Sequence, residues 1–477
     1  MPYHIGARRA VMKSLLQSVR SNVREASTRN KCSWAGLGWP ASQNAMERRY
    51  SMTSTSFLSA RRYLGSQVDH PKRQQQTEAH EKDFLHFPGA KTTFTFSLEY
   101  IKEISEDPVP CYRLLNDHGD PIDGAELPEI EQSLGVKMYE TMAILQTMDN
   151  LYYEAQRQGR ISFYVTSIGE EAINVASAAA LSSDDLIFPQ YREQGVLLWR
   201  GFTLKDFASQ CFANDEDSGK GRQMPVHYGS KKLNYITVSS TVGTQLPHAV
   251  GAAYSLKMAK EEACTVAYFG DGGTSEGDFH AAMNFASVLE VPVLFICRNN
   301  GWAISTPASD QYRSDGVVVK GQAYGIRSFR VDGNDTLAMY SCVQAARKMA
   351  IEESRPILIE ALTYRIGHHT TSDDSSKYRS ITEMERWKSL RDPVIRFRKW
   401  LEGNAWWDEV AERRLRATAR NEVITTMVRA EILKKPPLSD LFKDVYDSVP
   451  VHLQEQEAYV RSTVTRHPKD HPSDVPL

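Results

Sequence analysis

Thr265-Val266-Ala267-Tyr268-Phe269-Gly270-Asp271-Gly272-Gly273 is an apolar run that stops at glycines around one carboxylate, and Val291-Pro292-Val293-Leu294-Phe295-Ile296-Cys297-Arg298-Asn299-Asn300-Gly301 repeats the pattern with asparagines in place of the acid. Each run reads as a strand buried on both faces, Thr265 to Phe269 and Val291 to Cys297, because apolar residues follow one another without alternation. Between Gly272 and Asn299 lie 26 residues, 273 to 298. That is room for one helix near Asp278 to Leu289 and the second strand, so the two polar clusters fall side by side at strand ends. Glycines let a backbone approach a diphosphate, while Asp271 and the Asn300 side-chain oxygen offer the hard ligands that Mg²⁺ requires. A helix beginning near Ser275 adds the positive end of its dipole. A lone Gly-Asp-Gly is an ordinary strand-to-helix turn with an acidic cap. The pairing with asparagines at this spacing is what points to a Mg²⁺-diphosphate site.

Working outward, an Ala-rich helix follows Gly169, a strand spans Leu186 to Phe188 and a helix runs from Gln245 to Lys260. Further on come a strand at Ser328 to Val331, a helix over 336 to 354 and a strand from Ile357 to Tyr364. Such alternation predicts an α/β fold, a parallel sheet flanked by helices, with ligands at the carboxyl ends of the strands. Residues 64–126 read as an arm, polar over 64–95 with a short two-stranded element after that, and the α/β domain covers 127–383. Its first helix carries Leu134, Val136, Met138, Met142, Leu145 and Met148 among polar residues. The charged, helical segment 384–477 holds Trp387, Trp400, Trp406 and Trp407 and reads as a tail that packs on a partner. No internal repeat is evident.

With 477 residues, 41% of them apolar, the chain can bury a large core. No apolar run approaches the length of a membrane span. Cys32, Cys111, Cys211, Cys264, Cys297 and Cys342 form no CxxC pair, which predicts neither a zinc site nor a disulfide framework and fits a reducing compartment. Residues 1–68 hold 11 Lys and Arg against Glu25 and Glu47 alone, leaving 46 basic against 57 acidic residues in the remainder. That acidic remainder excludes nucleic acid as a partner, since phosphates call for a basic surface. Met12, Leu15, Leu16, Val19 and Val23 share one helical face among arginines, serines and threonines. This is the profile of a mitochondrial transit peptide over 1–63, delivering the chain to the matrix, with a disordered basic tail as the plain alternative. The double arginines before Tyr50 and Tyr63 mark two candidate cleavage points.

The paired clusters resemble the thiamine-diphosphate fingerprint. From about Tyr112 to near Pro450 the chain resembles the alpha subunits of branched-chain 2-oxo acid dehydrogenase decarboxylase components, on three further stretches: Gln190-Tyr191-Arg192-Glu193, Ser239-Ser240-Thr241-Val242-Gly243-Thr244-Gln245 and Tyr364-Arg365-Ile366-Gly367-His368-His369. The resemblance implies that Tyr191, Arg192 and Arg298 contact the diphosphate. Asp271 and Asn300 would hold Mg²⁺ by side chains and Trp302 by its carbonyl. Gly272 and Gly273 would pack on the cofactor, and Ser240 and Val242 would border its rings. Ser239, Thr241, Thr244 and Gln245 would coordinate K⁺. Thr241 and Trp302 depart from the family's usual Pro and Tyr; both contacts use backbone oxygens, and the departure bears on the K⁺ geometry alone. Arginine forks suit phosphate oxygens, although a surface ion pair is the bland reading of Arg192.

By the same resemblance His369 contacts the cofactor and is the active-site acid or base, whereas two adjacent histidines in a polar loop are otherwise merely solvent-exposed. Gln190, with the Ile366-to-His369 stretch, is implied to set substrate preference. The Ser-, Thr- and Asp-rich loop from Thr370 to Ser380 is expected to be mobile until cofactor orders it. Thr370 and Ser380 match the positions phosphorylated in animal members of the family, where added charge would disturb the loop. The family's beta chain supplies the glutamate that activates the aminopyrimidine, and no second α/β half is present here. An α₂β₂ heterotetramer is therefore implied, passing an acyl group to the lipoyl arm of an acyltransferase core. The implied reaction is oxidative decarboxylation of 3-methyl-2-oxobutanoate, 4-methyl-2-oxopentanoate and 3-methyl-2-oxopentanoate in valine, leucine and isoleucine catabolism. The rival readings are a pyruvate or acetoin dehydrogenase alpha subunit and a silent cofactor-binding scaffold; the intact Asp271, Asn300, Arg192 and His369 argue against the scaffold.

Overall fold

The computed structural model describes residues 84–87, 90–93, 97–98 and 107–477, so the expected transit peptide and the start of the arm lie outside the described residues. Phe84–Phe87 (β1) and Ala90–Thr93 (β2) pair as an antiparallel hairpin, inside the polar stretch 64–95 rather than after it. The hairpin belongs to a unit of its own.

The unit from Ser97 onward is organised by β3 (Leu186–Phe188), β4 (Thr265–Gly270), β5 (Val293–Asn299), a small hairpin of β6 (Trp302–Ala303) and β7 (Thr306–Pro307), then β8 (Arg327–Asp332) and β9 (Ile357–Leu362). Five of these form one all-parallel sheet in the order β3-β4-β5-β9-β8. Alternate residues of each run supply two separate cores, which is why the strands are apolar throughout. Val266, Tyr268, Leu294, Ile296 and Ile359 face one core; Ala267, Phe269, Phe295, Cys297 and Leu358 face the other.

The first core is covered by α1 (Gln132–Arg157), α2 (Glu171–Ala179), α3 (Gln194–Trp199) and α4 (Leu204–Phe212); the second by α5 (Gln245–Ala259) and α6 (Gly277–Leu289). Also on the first face is α7 (Thr336–Glu352). In α1 the buried Met138, Met142, Leu145 and Met148 recur at helical spacing. The small side chains of α2 let it sit buried against both α1 and α7. Asp335 caps α7 by accepting from Leu337 N and Ala338 N.

Two regions differ from the sequence-based boundaries. Residues 112–122, grouped with the arm, are part of the domain: Tyr112 bridges Val331 on the edge strand, and Leu114 N and Leu115 N donate to Asp335 Oδ2 at 2.8 and 2.6 Å. The tryptophan-rich segment is not an appendage. After α8 (Ile381–Leu390), α9 (Pro393–Gly403) buries Val394, Phe397, Trp400 and Leu401, and α10 (Glu409–Ile432) buries Val423, Met427 and Ala430 in the first core. Trp406 and Trp407 pack on that core as well, and Trp387 stacks on Tyr364 at 5.1 Å. Burying these rings inside the chain removes more apolar surface from water than a polar linker and a free tail would. Of these C-terminal helices only α11 (Val451–Arg466) and α8 bury no residue fully.

Candidate active site

Register decides what comes together. Gly270 pairs with Arg298 and Asn299 with Leu362, so the segments leaving β3, β4, β5 and β9 emerge side by side at one edge of the sheet. They carry Gln190–Arg192, Asp271–Gly273, Arg298–Trp302 and Thr363–His369. The five residues after β4 form a 3₁₀ turn, Asp271–Ser275, and α6 starts only at Gly277, two residues past the expected helix start near Ser275. Gly272 is glycine for a packing reason, since a Cβ there would lie 2.7 Å from Ala303 Cβ. At Gly273 a Cβ would make only ordinary contacts, so the protein's own packing does not call for glycine there.

Asp271 is 1% exposed and, among the described residues, has no cationic side chain in ion-pair range. Burial raises its pKa, offset in part by Gln311 Nε2, which donates to Oδ2 at 2.6 Å. The Gln311 Oε1 beside it is buried without a partner. A buried carboxylate in this state is stabilised by a cation. Asn300 donates from Nδ2 to Glu170 Oε1 at 2.7 Å, which turns Oδ1 the other way, where Trp302 N reaches it at 3.1 Å. Asp271 and Asn300 thus stand past the ends of paired strands at one corner, whereas the Trp302 carbonyl accepts from Arg365 Nη1 at 3.3 Å. Among the described residues no group of three or more His, Cys, Asp or Glu could hold a metal alone. Mg²⁺ fits this corner only together with oxygens from an anion.

The matching positive charge is present. Arg192 and Arg365 are buried with no carboxylate in ion-pair range among the described residues, and burial lowers the pKa of each. Arg192 donates to Thr166 O at 2.5 Å and to His369 O at 2.6 Å; Arg365 donates to Trp302 O at 3.3 Å and Ile304 O at 2.8 Å, while its Nε has no partner. Guanidinium groups bonded only to neutral acceptors keep their net charge for an anion. Arg298 is different. Glu193 at 2.6 Å and Glu170 at 2.5 Å neutralise it, and although burial alone would lower its pKa these acids raise it. Its charge therefore organises the site's floor. Gln190 belongs to the same floor, its Oε1 accepting from Gly270 N at 2.7 Å and Arg298 Nη2 at 3.4 Å. Tyr191 packs edge-on against His369 at 6.1 Å.

His369 Nδ1 lies 3.2 Å from Arg192 Nη2 and 3.4 Å from Arg365 Nη1. Guanidinium only donates, so Nδ1 is an acceptor and the neutral ring carries its proton on Nε2. Burial, Arg192 and Arg365 push the pKa of His369 down to about 3. The group is thus a neutral Nε2–H donor at physiological pH. Hydrogen bonds hold its loop in this arrangement: Asp373 accepts from His369 N at 2.8 Å and from Tyr378 OH at 2.6 Å, Thr371 N reaches Tyr164 O at 3.2 Å, and Arg379 bonds Arg365 O and, at 2.7 Å, Gly367 O. His368 turns away to Ser375 Oγ at 2.8 Å. Within the loop Thr370 Oγ1 accepts from Ser372 N, and Ser380 stands exposed ahead of α8.

Val242 approaches Gly273, and Gln245 Nε2 donates to Tyr268 O at 2.8 Å, which fixes the Ser239-to-Gln245 turn beside the first glycine cluster. Thr244 Oγ1 lies 3.3 Å from Ser239 Oγ and 3.1 Å from Thr241 O, so three of the four residues expected at K⁺ bring oxygens together. Ser240 points its hydroxyl to His227 Nε2 at 2.6 Å. Sequence reasoning missed Glu170, Gln311, Arg365 and Arg379 as parts of the site. Of these only Arg365 stood within a quoted motif.

The profile of the dehydrogenase E1 component family matches residues 139–439, from α1 through the segment after α10. The chain belongs to this family. Among curated relatives of this E1 component, the mitochondrial 2-oxoisovalerate dehydrogenase subunit alpha 2 of Arabidopsis thaliana is 63% identical over 403 residues, covering 84% of this chain and 85% of the relative. The mitochondrial 2-oxoisovalerate dehydrogenase subunit alpha of Homo sapiens is 48% identical over 408 residues, 86% of this chain and 91% of the relative. That of Dictyostelium discoideum is 49% identical over 370 residues, 77% and 83% respectively.

Proposed function

We propose that this chain is the alpha subunit of a mitochondrial, thiamine-diphosphate-dependent dehydrogenase that decarboxylates branched-chain 2-oxo acids, 3-methyl-2-oxobutanoate (2-oxoisovalerate) foremost. One observation carries the reading: an uncompensated buried carboxylate, Asp271, and two uncompensated buried guanidinium groups, Arg192 and Arg365, converge at adjacent strand ends around a neutral histidine. A Mg²⁺-diphosphate satisfies both signs of charge at once. The relatives' names supply the substrate class.

Thiamine diphosphate, when bound, supplies the electron sink for loss of CO₂. The chain's own residues bind and orient. Asp271, Asn300 and the Trp302 carbonyl hold Mg²⁺, with Gln311 orienting Asp271; Arg192, Arg365 and Tyr191 take the diphosphate; Gly272, Gly273, Ser240 and Val242 border it; Arg298, held by Glu170 and Glu193, keeps the floor rigid. His369 stabilises negative charge on the reacting oxygen by donating from Nε2–H. Ser239, Thr241, Thr244 and Gln245 bind K⁺ and stiffen the turn, Gln190 sets the depth of the site, and phosphate on Thr370 or Ser380 weakens binding by unpinning the loop. A beta subunit completes an α₂β₂ assembly and a lipoyl-bearing acyltransferase accepts the acyl group.

The test is CO₂ release from 3-methyl-2-oxobutanoate by this chain with and without a co-expressed beta partner, with Mg²⁺, thiamine diphosphate and competing pyruvate. Activity with the partner alone and preference for the branched acid are expected. A preference for pyruvate would move the substrate, and full activity of the lone chain would overturn the two-chain assignment.

A further inference from the structure

Outside the residues already given a role, one polar contact beside the cleft is built with unusual constraint. Gln210 grips the loop before His227 at two points, donating to Met224 O at 2.6 Å and accepting from Val226 N at 3.1 Å. Val226, held between them, has φ +67°, a left-handed conformation that a β-branched residue avoids. Beyond His227 the chain folds back: Val238 N donates to Tyr228 O at 3.0 Å, and Gly229 lies so close to Thr237 that a Cβ would clash. These constraints set His227 opposite Ser240.

The hydrogen bonds then fix the polarity. His227 is 7% exposed, and its Nδ1 lies 3.1 Å from Pro225 O. A carbonyl only accepts, so Nδ1 carries the proton and Nε2 of the neutral ring is bare. Ser240 Oγ, 2.6 Å from Nε2, must spend its single proton on that bond. Its lone pairs alone remain for anything else. We infer that His227 is a positioning residue that holds the Ser240 hydroxyl as a hydrogen-bond acceptor at the cofactor's rings, an inference that rests on the function proposed above. An acceptor there complements an N–H donor such as the exocyclic amine of an aminopyrimidine, and it repels the carboxylate of a 2-oxo acid. The contact thereby favours the ring's correct seating and keeps the substrate's carboxylate from occupying it. A free serine hydroxyl could accept from the amine but could equally donate to the carboxylate, and so would not discriminate between them.

The experiment is a double-mutant cycle in the assembled α₂β₂ enzyme, reading kcat and KM for 3-methyl-2-oxobutanoate and the dissociation constant of thiamine diphosphate by tryptophan quenching. His227→Phe is expected to lower kcat about tenfold, the scale of one hydrogen bond, with KM moved less than about twofold. His227→Gln, whose side-chain carbonyl can accept from Ser240, is expected to recover most of the loss. Ser240→Ala is expected to lose about as much as His227→Phe, and the double variant no more than either. Additive losses, or wild-type kcat in His227→Phe, overturn the inference. If His227→Phe fails to assemble, His227→Gln and Ser240→Ala decide: wild-type kcat in Ser240→Ala overturns it, and loss in Ser240→Ala with retention in His227→Gln supports it. A wild-type enzyme that binds thiamine diphosphate but turns over no 2-oxo acid sinks the functional reading instead, and the same cycle run on the cofactor's dissociation constant still decides the role of His227.

Discussion

Asp271 and His369 owe their properties to neighbours that do not stand beside them in sequence. The Gln311 amide opposes the burial that raises the Asp271 pKa. Removing that donor in Gln311→Leu raises the Asp271 pKa further, so its carboxylate competes less well for Mg²⁺, and more so in acid. Mg²⁺ affinity, read from Mg²⁺-dependent cofactor binding, is expected to fall about tenfold or more, with the deficit larger at pH 6 than at pH 8. A deficit independent of pH would reject this role. For His369, burial comes first in lowering the pKa, followed by Arg192 and Arg365. Replacing Arg365 by Met removes one positive neighbour and raises the His369 pKa towards its ordinary value of about 6.5. The ring of the variant then takes up a proton at a higher pH than the wild-type ring, which stays neutral down to about 3. At saturating cofactor, the acid limb of kcat in Arg365→Met is expected to lie at higher pH than in wild type, because a protonated Nδ1 can no longer accept from the Arg192 guanidinium that orients the ring. Parallel profiles would show that Arg365 does not set the state of His369.

Elements carry these residues into place through a few intolerant backbone positions. Gly169 has φ +97°, and a Cβ there would run into Tyr364 O and lie 3.0 Å from Ile366 Cγ1. Next to it, Glu170 supports both Arg298 and Asn300; burial alone would raise its pKa, but Arg298, Arg192 and its hydrogen bonds hold it below the ordinary carboxylate value. Gly169→Ala is therefore expected to destabilise the domain by about 2–4 kcal/mol, since backbone cannot yield as a side-chain tip does. Calorimetry of the assembled enzyme checks this, and a change below about 0.5 kcal/mol would exclude strain at this site. The parallel strands and their flanking helices were legible in the sequence because uninterrupted apolar runs and helical spacing leave few alternatives. The helical character of α10 was legible too, but its packing into the core was not, because its buried stripe of Glu412, Ala419, Val423, Met427 and Ala430 is thin and lies among charges. Glu170, Gln311 and Arg379 were equally hidden. Each acts on a residue far away in the chain, at separations of 128, 40 and 14 positions, and no local pattern announces such a contact.

At the scale of the whole molecule, the helices that cover the second face of the sheet keep an apolar outer side. Helices α5 and α6 bury Leu246, Val250, Phe279 and Met283 inward, yet leave Tyr254, Met258, Phe285 and Val288 between 43% and 73% exposed. Lys257 Nζ donates to Leu289 O and Glu290 O, both at 2.9 Å, and so ties the two helices together beside these side chains. An apolar surface of this kind on adjacent helices suits a contact with another chain. It lies on the last turns of those helices, at the far end from the Ser239-to-Gln245 turn and the Asp271 cluster that precede them. Phe285→Asp puts a charge on that surface and removes no buried side chain, because Phe285 is 60% exposed. The variant expressed alone is expected to melt within about 1 °C of the wild-type chain, a surface substitution costing under about 0.5 kcal/mol. Co-expressed with the beta partner, it is expected to remain unassembled by size-exclusion chromatography and to bind thiamine diphosphate at least about tenfold more weakly, since burying an unpaired carboxylate costs far more than the contact it replaces. Normal assembly of Phe285→Asp would place the partner on another face, and a destabilised lone chain would mean that this surface is already covered by the chain itself.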